Sequence, residues 1–265
     1  MPTQMRMLTP MLMSRQGFLL DAELTHRFDD FGEIAVHGAG TYQFDRSAFA
    51  GQVGDLDWRG AIQITGKFTP APQWRAGWSY LAFTDPAFVG DYDLEGYDFT
   101  NDVYVQHLSD QTFFDARFQE FLRPGQTSAA RQARQGRTIP AARFDQYFEI
   151  DDQGGQVLLS GDVIGVNRTL DAARTVNTID FIDGYAGNKF HGTIEGAWQR
   201  QFIVPGGVAA TPYVGLRLDG ASYDGSSALL PVASTLFAAT PIAAIDLRFP
   251  VRATDGLSTY LFEPI

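Results

Sequence analysis

The sequence predicts an all-β protein: a large antiparallel up-and-down transmembrane β-barrel, here a partial barrel of about 13 strands filling residues 1–265 as one domain. Three observations predict it. Segments of about ten to twelve residues alternate between apolar and polar side chains. Aromatic residues stand at both ends of the apolar rows. The connections between segments alternate between short and long.

The alternation is clearest near the start. Over residues 17–28, Phe18, Leu20, Ala22, Leu24, His26 and Phe28 fall on one face, and Leu19, Asp21, Glu23, Thr25 and Arg27 on the other. Asp29-Asp30-Phe31-Gly32 turns the chain, and residues 33–44 alternate again, with Ile34, Val36, Gly38, Gly40, Tyr42 and Phe44 opposite Glu33, His37, Thr41 and Gln43. The same reading places strands at 5–13, 58–68, 74–83, 99–108, 112–122, 143–150, 156–166, 189–203, 208–219, 239–249 and 257–263. No segment shows a helical period.

Alternation fits a soluble sandwich as well as a membrane barrel, because both bury one face of each strand. Length separates them: globular strands average about 5–6 residues, whereas a tilted crossing of a bilayer needs about 9–11. Aromatics bracket apolar rows at Phe18 and Phe28, and again at Phe190 and Phe202, as two interfacial girdles require. Short connections at 29–32, 69–73, 109–111, 151–155, 204–207 and 250–256 alternate with long ones at 45–57, 84–98, 123–142, 167–188 and 220–238. All long loops then leave one end of the sheet, as in outer-membrane barrels. The short Arg15-Gln16-Gly17 turn breaks this rule.

Composition excludes several classes. Asp+Glu number 31 against 20 Lys+Arg, a net charge of −11 that disfavours nucleic acid as a partner. Cysteine is absent, which removes thiol chemistry and Cys-based zinc sites. Residues 1–15 lack a signal-peptide pattern, with Arg6 and Pro10 where an apolar core should run. The uncharged run from Gly225 to Ile245 is long enough for a membrane helix, but Pro231 and Pro241 interrupt it; a loop entering a strand fits better.

Several stretches resemble the LptD family of outer-membrane LPS-assembly proteins. MRMLTPMLMSRQGFLLDAELTHRF is similar to its early barrel strands, with a Thr-Pro strand, a basic-Gly turn and an acidic-polar strand. WRAGWSYLAFTDPAFVGDYD is similar to its Trp-Arg strand, Ser/Thr-Asp-Pro segment and aromatic-acidic loop; Ile139-Pro140 and the final LFEPI match later Pro-containing pairs in part. The resemblance implies insertion of lipopolysaccharide into the outer leaflet of the outer membrane, without an enzyme activity or cofactor. It implies an LptE-type lipoprotein plug, an LptA-type periplasmic bridge and membrane lipid as partners. It also implies lateral opening where prolines, which donate no ladder hydrogen bond, weaken strand pairing; Pro10 matches one such proline. The family's export signal, periplasmic jelly-roll, cysteines and remaining strands are missing, so the chain reads as an internal fragment of an unclosed barrel.

Catalytic and metal readings are weaker. Asp91, Asp93, Glu95 and Asp102 approximate a calcium-loop spacing but depart from it at the fifth and twelfth positions, and a strand begins inside the motif. A solvated acidic loop is the expectation, although divalent ions could bridge such a loop to lipid phosphates. His26, His37, His107 and His191 lack zinc spacing, and no nucleophile elbow, phosphate loop or dinucleotide fingerprint occurs. No catalytic, cofactor or metal residue is therefore predicted. The arginine-rich segment 123–143 reads as a solvated loop; its functional reading is contact of Arg131, Arg134 and Arg137 with LPS phosphates. Asp21, Glu23, Arg27, Asp115 and Arg117 would hydrate a lumen. A general outer-membrane pore and a soluble β-rich carbohydrate-binding or carbohydrate-active protein remain the alternatives.

Overall fold

The computed structural model describes residues 4–151, 154–254, 256 and 258–262. Its strands are β1 (Gln4–Met13), β2 (Gly17–Phe28), β3 (Gly32–Tyr42), β4 (Trp58–Ala71), β5 (Trp74–Phe83), β6 (Thr100–Leu108), β7 (Thr112–Phe121), β8 (Arg137–Asp151), β9 (Gly155–Arg168), β10 (Ala172–Val176), β11 (Ile179–Gly184), β12 (Gly187–Gln199), β13 (Phe202–Val204), β14 (Val208–Tyr223), β15 (Ser234–Arg248), β16 (Val251–Thr254) and β17 (Thr259–Phe262). Thirteen of them form one antiparallel sheet in chain order from β1 to β9, then β12 and β14, with β13 and β15 both on β14. This is the predicted all-β, up-and-down meander.

Parity of the loops holds. Connections after β2, β4, β6 and β8 are tight, and those after β3, β5, β7, β9 and β14 are long, so one end of the sheet carries every long loop. The first turn, residues 14–16, is the short exception at that end. Prolines mark two of the differences from the expected strands. The strand expected at 143–150 begins at Arg137, and Ile139-Pro140 lies inside it; the ladder skips from Thr138 to Ala141 because Pro140 donates no hydrogen bond. The strand expected at 189–203 breaks after Gln199 and resumes as β13, opposite Pro212 on β14. The strand expected at 239–249 starts at Ser234, so the run from Gly225 is a loop entering a strand.

Two expectations fail. The loop at 167–188 contains the β10–β11 hairpin, and the turn expected at 250–256 contains β16. β16 pairs with β17 in a hairpin separate from the large sheet, so the last predicted strand, of which Leu257 and Glu263 lie outside the described residues, does not extend the wall. Among the described residues, helical structure is confined to single turns: α1 (Phe88–Asp91), α2 (Ala129–Ala133) and a 3-10 turn at Ser47–Phe49. Elements of one turn are too short to display a period in sequence.

The apolar rows lie on an exposed face. Phe18, Leu20, Leu24 and Phe28 on β2 are exposed, as are Ile62, Tyr80, Val103, Ile194, Val214, Leu216 and Ile245 on later strands. No helix among the described residues is long and apolar enough to cross a membrane. Aromatics cluster at both ends of this face. Tyr42 lies 5.0 Å from Trp58 and 5.5 Å from Phe44 at the long-loop end. Phe28, Phe31 and Phe68 meet at 5.2–6.5 Å at the other end. Gly32 and Tyr42 bound one strand between these clusters. Ten residue steps of about 3.3 Å, tilted by about 40°, span about 25 Å, the height of the apolar band of an outer-membrane barrel.

Candidate functional site

The opposite face is polar and built in register. Gln106, Asp115, Arg143, Asp162, Thr193 and Asp219 face one another in a single row across β6, β7, β8, β9, β12 and β14. The next row towards the short-loop end brings Asp145, Ser160, Glu195 and Arg217 together. Residues two apart on a strand share a face, so an arginine can reach along its own strand to a carboxylate. Arg117 Nε donates to Asp115 at 2.7 Å, Arg143 Nε to Asp145 at 2.7 Å and Arg217 Nη2 to Asp219 at 2.8 Å. Thr193 also donates to Asp219 at 2.9 Å, and Tyr213 to Glu195 at 2.8 Å. The arginines are partly exposed, so each pair contributes little stability. Their effect is a polar surface dense in donors and acceptors.

Near the long-loop end of β2–β5 the same face is dry. Leu19, Ala39, Ala61 and Leu81 are covered by Phe88, Val89 and Leu94 from the loop between β5 and β6. That loop turns inward over the sheet instead of projecting away from it. Arg59, next to this cluster on β4, is fully buried. Its guanidinium donates to Asp85 at 2.8 and 2.7 Å and to Asp91 at 2.7 Å. The rings of Phe49, Tyr92 and Phe88 lie 4.5, 5.3 and 5.7 Å from the guanidinium carbon. Two carboxylates and three aromatic rings thus offset the cost of burying one cation. A second fastening joins His37 to Asp21 at 2.8 Å and stacks the His37 ring on Tyr97 at 4.2 Å. The Tyr97 hydroxyl has no partner, and burial pushes its pKa upward, with the Asp21 charge adding to the effect.

The predicted residues are placed as follows. Asp115 and Arg117 pair on the polar face, Asp21 holds the inturned loop through His37, and Arg27 bonds Glu33 at 3.1 Å near the short-loop end. Glu23 receives the Thr25 hydroxyl at 3.5 Å on the polar face. Pro10 pairs with Leu20 on β1, which has no second neighbour among the described residues. Arg131 lies in the single turn of α2 and Arg134 caps it, both on the long-loop side, while Arg137 Nε bonds Glu120 at 2.9 Å. Within the acidic loop, Asp91 turns to Arg59, and Asp93 and Glu95 line a cavity of about 500 Å³ with Asp21, Glu23 and His37. No three His, Asp or Glu side chains converge as a metal site among the described residues. Sequence reasoning missed Arg59. Its only signal was an arginine in the inward register of β4 with no charged neighbour on that strand.

A sheet of long strands, apolar with aromatic girdles on one side, polar in register on the other and carrying its long loops at one end, is the wall of a membrane-spanning β-barrel. The family profile of LPS transport system D matches residues 57–264. The chain belongs to this LptD family, a family of LPS transport and assembly, and is an integral β-barrel protein of the outer membrane. No curated protein matches it. Among solved structures, the copper transporter OprC aligns over 97% of this chain and 44% of its own, with 8% identity and a TM-score of 0.36. The chain thus spans less than half the length of that protein.

Proposed function

We propose that this wall conducts lipopolysaccharide to the outer leaflet without covalent chemistry. The observation that carries the reading is the row from Gln106 to Asp219, a polar surface dense in donors and acceptors on which sugar hydroxyls and phosphates exchange one set of hydrogen bonds for another. Acyl chains travel on the apolar side. The edge of β1 at Pro10 acts as part of a lateral opening, because a proline there weakens pairing with an incoming strand. Arg131 and Arg134, and Arg137 when it releases Glu120, meet phosphates at the long-loop end. An LptE-type lipoprotein occupies the inside, and an LptA-type bridge supplies substrate. The wall is one part of a larger barrel domain and performs no enzymatic step.

Thr193 and Ile194 are consecutive residues on opposite faces, which makes the test direct. A photo-crosslinking residue at each position, in cells, should give an LPS adduct at Thr193 that decays when new LPS synthesis stops. The adduct at Ile194, with resident membrane lipid, should persist. No LPS adduct at Thr193 overturns the reading.

A further inference from the structure

We infer that Arg168 and Lys189 form a phosphate-binding subsite on the polar face; the inference rests on the proposed passage of LPS along that face. Val166 on β9 pairs with Lys189 on β12, and Arg168 pairs with Gly187. Both cations therefore project from the same face of neighbouring strands, on one diagonal, close enough for their charges to interact.

They differ from Arg117, Arg143 and Arg217, each held by an aspartate two residues away. The Arg168 side chain makes no hydrogen bond or ion pair among the described residues, and its Nε is shut off from water without an acceptor. Lys189 makes no ion pair among the described residues: the Asp171 charge favours its cation, but less than the Arg168 charge opposes it, and its ammonium lies over the rings of Tyr185 and Tyr223, at 5.3 and 5.8 Å. The nearby carboxylates are committed elsewhere. Asp171 accepts the Ala186 amide at 2.6 Å, and Asp224 accepts the Asn188 and Ser226 amides at 2.8 and 3.0 Å. Glycine keeps space for the guanidinium, since a Cβ at Gly184 would collide with Arg168 Nη1.

Beside Lys189 lies a cavity of about 290 Å³, with Ile164, Val166 and Leu236 as its apolar part and Lys189 and His191 at its polar side; Arg168 follows Val166 by two residues on the same face of β9. In a chain of net charge −11, two adjacent unpaired cations repel each other, and an anion between them relieves that repulsion. A phosphomonoester suits both: the planar fork of arginine binds two of its oxygens, and the lysine ammonium meets a third as a point charge. The apolar floor then receives the carbon skeleton to which the phosphate is attached.

The test uses the full-length protein in detergent, with a photo-crosslinking residue at Leu236 and, separately, at Thr193. The probes are purified LPS and the same LPS stripped of its phosphates by phosphatase. The Leu236 adduct should fall by about tenfold with the stripped LPS, the equivalent of one charge-assisted contact. Arg168→Gln combined with Lys189→Gln should lower the adduct from intact LPS equally, and Lys189→Arg alone should leave it at the wild-type level. Equal Leu236 adducts from both LPS forms overturn the subsite, and this comparison needs no change to either cation. An adduct at Thr193 with none at Leu236 overturns the subsite alone; none at either position overturns the transport reading with it.

Discussion

Arg59 and Asp85 are joined by two parallel hydrogen bonds, Nε and Nη2 of the guanidinium to Oδ2 and Oδ1 of the carboxylate, with both side chains almost wholly out of water. The pair ties β4 to the start of the inturned loop. Removing Asp85 leaves a buried guanidinium with a weaker, part-exposed partner in Asp91. Asp85→Ala should therefore destabilise the folded barrel by about 3–5 kcal/mol. Arg59→Lys, with Asp85 in place, should lose much of the same stability, because an ammonium cannot span the two Asp85 oxygens in that geometry. Equilibrium unfolding in detergent measures both, and limited proteolysis within residues 84–99 should accelerate in step. Wild-type stability in Asp85→Ala would show that the loop is held by the apolar cluster alone.

Two glycines on facing strands set a second expectation. Trp78 lies flat over Gly66, where a Cβ would stand 2.6–2.7 Å from its indole atoms. On the other face Tyr104 covers Gly77, where a Cβ would also run into the Gly66 carbonyl. Backbone cannot swing aside as a ring can, so Gly77→Val should cost more stability than Gly66→Ala, with the difference on the order of 1–3 kcal/mol. Thermal unfolding ranks the two variants. In Gly66→Ala the Trp78 emission should change as its ring leaves Phe68, 5.2 Å away.

Asp224 gives a pH dependence. The Asn188 backbone amide, bonded to its carboxylate at 2.8 Å, is the largest cause of a pKa lowered from 3.8 to about 2, and Ser226 adds to it. A carboxylate depressed in the folded state contributes its stabilisation above its ordinary pKa and loses it as pH falls through the folded one. The clasp between the β14–β15 loop and the start of β12 should hold unchanged above pH 4 and loosen between about pH 4 and 2. Hydrogen exchange at Asn188 and Ser226 reports it, and Asp224→Asn should abolish the pH dependence over that window.

The wall was legible in the sequence because strand alternation is local: Leu20 and Leu24 declare their face against Asp21 and Glu23 without knowledge of any distant residue. Loop parity was legible for the same reason. Contacts made by loops returning to the sheet were not. Arg59 meets Asp85 and Asp91 at separations of 26 and 32 residues, and nothing in its own segment marks it as buried. Leu19 read as an apolar exception on a polar row; it is the fully buried centre of the cluster under the inturned loop. The β10–β11 hairpin was lost because its strands of five and six residues fall below the length that signalled a crossing.

The assignment of faces has its own test, in neighbours of opposite orientation. Ile194 and Leu216 point from β12 and β14 to the exposed apolar side, while Glu195 and Arg217 point to the polar side and stand opposite one another. If the apolar side meets hydrocarbon, Leu216→Arg places a charge in lipid and should cost about 2–4 kcal/mol near the bilayer midplane. Arg217→Leu, one position along, removes a partly exposed ion pair with Asp219 and should cost far less. Unfolding titrations in phospholipid vesicles compare the two. Equal costs, or a greater cost for Arg217→Leu, would mean that the rows of exposed leucine, isoleucine and valine meet protein rather than lipid, and the two-faced wall would lose its membrane.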